Sequence, residues 1–70
     1  MKQVFTAIIE KDENGIYIVE VPSLRGCYTQ GGTLDEAMKN IREVIEMCLE
    51  EQKDIPKYEL VGIQKIEVSR

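Results

Sequence analysis

The sequence predicts an α+β two-layer sandwich in the order β-β-β-α-β, one helix packed on a mainly antiparallel sheet. Three observations predict it. An Asn14-Gly15 turn separates two short runs of apolar residues, a single long stretch with helical period begins at Leu34, and an apolar, β-branched run returns at residues 60–68.

Residues 2–11 alternate, with Phe5, Ala7 and Ile9 on one face and Val4, Thr6 and Ile8 on the other, so the first strand is expected to be covered at least partly on both sides. Asp12-Glu13-Asn14-Gly15 supplies the turn, since Asn and Gly both tolerate positive φ. Residues 16–21 return as a β-branched and aromatic run that Pro22 closes, because proline donates no backbone hydrogen bond. The third strand is expected at 27–31, with Tyr28 and Gln30 on one face and Cys27 and Thr29 on the other. Gly26, Gly31 and Gly32 serve the tight passages on either side of it.

Thr33 and Glu36 form a capping box, the Thr33 hydroxyl accepting the Glu36 amide and the Glu36 carboxylate reaching back to the Thr33 amide. From there Leu34, Ala37, Met38, Ile41, Val44, Ile45, Cys48 and Leu49 make one continuous apolar stripe. Asp54-Ile55-Pro56 stops the helix. The last strand, 60–68, changes phase between Ile63 and Ile66, which implies a bulge or burial on both faces.

Seventy residues make one domain, expected to span 1–70, and a core this small favours self-association as a homodimer or higher homo-oligomer. No apolar run approaches the roughly 20 residues needed to span a bilayer and the N-terminus lacks a leader pattern, so a cytoplasmic protein is expected, without a membrane partner. The chain contains no histidine, the commonest general base and metal ligand, which argues against an enzyme. Neither a catalytic site, a cofactor nor a metal is expected. Glu10, Asp12, Glu20, Asp35 and Glu36 lack any recognisable ligand spacing. Cys27 and Cys48 read as packed thiols, and the residues before the helix lack the lysine of a phosphate-cradling loop.

Thirteen acidic residues against nine basic give a net charge of −4, which repels nucleic acid and suits a basic partner. Glu46, Glu50, Glu51 and Asp54 crowd negative charge at a helix C-terminus, where the macrodipole favours cations. The helix covers one sheet face only, so the other is a candidate contact surface, expected to present some of Val4, Ile8, Tyr17 and Val19 or their neighbours. Glu46, Glu50, Glu51, Tyr17 and Val19 are therefore the candidate partner-binding residues.

The hairpin with Asn14-Gly15-Ile16-Tyr17, then Val21-Pro22-Ser23-Leu24-Arg25-Gly26-Cys27, then Thr29-Gln30-Gly31-Gly32-Thr33-Leu34-Asp35-Glu36-Ala37, resembles the HicB antitoxin family over about the whole chain. The resemblance implies a truncated ribonuclease H-like fold without nuclease activity. It also implies a partner, a small basic HicA-type toxin that cleaves messenger RNA and is neutralised when its active site is occluded. Within the motif, Pro22, Gly26, Cys27, Gly31, Thr33, Glu36 and Ala37 are explained by turn, cap and packing geometry, so their expected role is structural. Many family members continue into a DNA-binding segment, whereas this sequence stops at Arg70; direct DNA binding is not expected of it. An orphan oligomerising or regulatory domain without a toxin is the alternative, and a divalent-metal nuclease is a weaker third.

Overall fold

A computed structural model describes residues 2–69. Strands β1 (Ile8–Lys11), β2 (Tyr17–Glu20) and β3 (Tyr28–Gly31) precede one helix, α1 (Leu34–Glu51). The sheet is an antiparallel meander in the order β1-β2-β3. Each strand is shorter than the sequence run that contains it.

Asp12 builds the first turn. Its carboxylate accepts the amides of Asn14 and Ile16, both at 2.9 Å, while its carbonyl accepts the amide of Gly15 at 3.0 Å. Positive φ falls on Gly15 alone (83°), not on Asn14 as well. The second connection is tighter inside: Val21, Leu24 and Cys27 turn their side chains into the core, and Gly26 takes a φ of 67° that a Cβ would resist.

The register sets which side chains share a face. Ile9, Val19 and Thr29 stand side by side, as do Lys11, Tyr17 and Gly31, and these look toward the helix. Val19 is fully buried, with Val21, Leu24, Cys27, Ala37 and Ile41 completing the core. Val44, Ile45, Cys48 and Leu49 pack around it, so the predicted stripe of the helix is largely the one used. The helix lies over β3 and β2 and leaves β1 uncovered.

At its start, the Thr33 hydroxyl accepts the Glu36 amide at 3.1 Å as expected. The Glu36 carboxylate reaches one residue further back, to the amide of Gly32 at 3.1 Å. Gly31 is needed for space: a Cβ there would lie 2.6 Å from the Ala37 nitrogen, so the first helical turn can sit directly on β3.

The expected final strand is absent among the described residues. Residues 60–68 run without ladder pairing and are exposed along their length, so the observed order is β-β-β-α. A strand forms only against a neighbouring backbone, and among the described residues this segment hydrogen-bonds to none.

Candidate functional site: a mixed sheet face and an acidic helix end

The exposed face of the sheet is the one opposite the helix, and the register assigns it Ile8, Glu20 and Tyr28 in one row and Glu10, Ile18 and Gln30 in the next. Ile18 and Tyr28 are exposed, Tyr28 by 67%. This corrects the expected composition of the face. Val19 is 0% exposed and belongs to the core, and Tyr17 is half-buried on the helix side, where the ammonium of Lys11 lies 5.1 Å from the centre of its ring. Parity explains the change: Ile9 pairs with Val19, which puts the odd-numbered residues of both strands on the helix side. Ile18 and Tyr28 take their place on the outer face, and a fixed register would have been the signal to find them.

Glu46, Glu50 and Glu51 are exposed on α1, which carries no basic residue in its last turn. The helix end is held by Gln52, whose amide hydrogen-bonds the Cys48 carbonyl at 2.9 Å. Its side-chain carboxamide makes a two-bond clasp on Arg25, donating to the carbonyl at 2.9 Å and accepting from the amide at 3.2 Å. No sequence pattern marked Gln52, because its partner lies 27 residues away.

Cys27 is buried and unbridged. Burial pushes its thiol up from 9.0 to about 11, with the hydrogen bond and the charge of neighbouring Cys48 acting in the same direction. Such a thiol stays protonated at neutral pH, the opposite of an activated nucleophile. It also makes stability depend on pH. The unfolded thiol loses its proton near pH 9 while the native one keeps it, so the contribution is complete below pH 9 and is lost as pH rises toward 11. The expected loss, on the order of 2 kcal/mol, appears as a falling urea midpoint that Cys27→Ala flattens.

The carboxylates considered for a metal do not converge. Asp12 is engaged in its turn and Glu36 in the cap, and among the described residues no three His, Cys, Asp or Glu side chains are grouped to hold an ion. Likewise, none of the described helices is long and apolar enough to cross a membrane.

The model of the HicB-like antitoxin of bacterial toxin-antitoxin systems matches residues 5–67. The chain belongs to the HicB-like antitoxin family. Similar proteins carry the name UPF0150. One from Synechocystis sp. is 60% identical, the match covering 96% of this chain and 97% of the relative. Another from Archaeoglobus fulgidus is 50% identical over 91% of this chain and 93% of its own length. A third, from Thermotoga maritima, is 43% identical over 97% and 93%. In this HicB-like chain Pro22 and Gly26 lie in the β2–β3 connection, Cys27 and Ala37 in the core, and Gly31, Thr33 and Glu36 at the entry to α1.

Proposed function

We propose that this HicB-like domain is the antitoxin of a toxin-antitoxin pair and neutralises a HicA-type messenger-RNA-cleaving toxin by covering its active site. The carrying observation is the outer sheet face, where exposed Ile18 and Tyr28 lie among Glu10, Glu20 and Gln30. A face on which apolar side chains alternate with carboxylates suits a basic protein surface, because burial of the apolar groups supplies affinity while opposite charge speeds encounter. Glu46, Glu50 and Glu51 extend the negative field at the helix end. In this reading the domain has a truncated ribonuclease H-like layout with no nuclease chemistry, works in the cytoplasm as a homo-oligomer, uses no cofactor and leaves DNA binding to other proteins.

The test is titration of the purified domain into an RNA-cleavage assay of a basic toxin encoded beside it. Stoichiometric inhibition is expected, and full cleavage at excess domain overturns the reading in favour of the orphan oligomer. Reversing Glu46, Glu50 and Glu51 to lysine is expected to weaken toxin binding about tenfold at low salt, since exposed charges contribute roughly 0.2–1 kcal/mol each. The difference should shrink as salt is raised. Unchanged affinity at low salt removes the helix end from the interface.

A further inference from the structure

We propose that residues 60–68 become a β-strand on a second copy of this chain, laid along the free edge of β1 in a reciprocal exchange of arms. This deepens the homo-oligomer of the reading above by naming how two copies join, and it does not depend on a toxin.

The arm has the composition of a strand and none of its bonds. Leu60, Val61, Ile63, Ile66 and Val68 are all exposed, Val61 by 96% and Ile66 by 78%, while six apolar residues are buried among the described residues. Among the described residues, the backbone from 53 to 69 makes no hydrogen bond to another backbone group. The arm also stretches the molecule. Its radius of gyration is 13.7 Å, against about 11 Å for a compact chain of this length. Tyr58 and Leu60 pass beside Val4 and Thr6 across a gap of about 670 Å³, which the arm lines no further than Gly62.

The matching receptor is on the same molecule. β1 is an edge strand with one side unpaired, and the helix does not cover it. Where the chain leads into β1, a groove of about 400 Å³ lies between Phe5 and Ala7 on one side and Met38, Ile41, Ile45 and Leu49 of α1 on the other. An extended arm on that edge places one row of side chains in the groove. Leu60, Ile66 and Val68 share one parity and Val61 and Ile63 the other, so both surfaces of the added strand are apolar. At about 3.3 Å per residue the arm extends roughly 30 Å, enough to pair with β1 and continue over the stretch that leads into it. Donor and receptor lie on one chain, so two copies related by a two-fold axis satisfy both arms and both edges at once. This second copy is the occupant that closes the assembly, and it leaves the outer sheet face free.

The full chain in solution at 100 µM tests the proposal. Its mass should be twice 8.0 kDa, and Ile63→Lys with Ile66→Lys should return it to a monomer with unchanged helical circular dichroism. The side chains replaced are exposed in the single chain, so its fold does not depend on them. In a sample mixed from differently isotope-labelled chains, nuclear Overhauser contacts between Ile66 and the Phe5–Ile45 groove should cross between copies. A monomeric wild type, a dimer that survives the double substitution, or contacts confined to one chain each overturn it.

Discussion

Replacing Gly31 with alanine should lower stability by about 3 kcal/mol, the upper end of the range for forced overpacking. The added methyl would lie 2.6 Å from the nitrogen of Ala37, 2.9 Å from its Cα and 3.1 Å from the carbonyl carbon of Glu36. These are backbone atoms of the first helical turn and have no rotamer with which to yield. Relief requires the helix to lift from β3, which opens the core at Ala37 and strains the Thr33–Glu36 cap. For a domain of this size the midpoint of thermal unfolding should fall by at least about 12 °C. Gly32→Ala is the matched control, because nothing lies within 4 Å of its added carbon. Equal midpoints for the two variants would show that the helix does not approach β3 as closely as described.

The second large effect separates the two faces of β2. Val19→Asp places a carboxylate in the core with no cation beside it, at a cost of more than about 4 kcal/mol, close to the whole stability of a small domain. Loss of the helical circular dichroism signal is expected. Ile18→Asp puts the same group on the outer face, where water solvates it, and should shift stability by no more than about 1 kcal/mol. In the toxin assay, the Ile18 variant is then the informative one: folded, yet with the proposed contact face spoiled. If Val19→Asp folds and Ile18→Asp does not, the helix packs on the opposite face of the sheet.

The elements that could be read from the sequence are those whose determinants are close together along it. Helix α1 follows from the period of its stripe and from Thr33 and Glu36, three residues apart, and the first turn follows from Asp12 to Gly15. What could not be read depends on pairing across the sheet. Residues 2–11 and 16–21 are apolar on both parities, so only the observed register, Ile9 opposite Val19, decides that Val19 is core and Ile18 is surface. The Gln52 clasp on Arg25 and the crowding of Gly31 by Ala37 depend on packing of the helix against the sheet, which no local pattern encodes. Residues 60–68 have every local feature of a strand, but a strand also requires a partner backbone, and the sequence does not say which molecule supplies it.

The meander order of the sheet has a kinetic consequence. Each strand pairs with its neighbour in sequence, and the connections at residues 12–16 and 21–27 are short, so little chain entropy is spent in closing either. A domain dominated by such local pairings belongs among the faster α/β folders, reaching its three-stranded form within about milliseconds. Association through the arm is bimolecular and must lag behind at low concentration. Refolding from urea should therefore divide into a fast phase independent of dilution, carrying the helical signal, and a slower one whose rate rises with protein concentration.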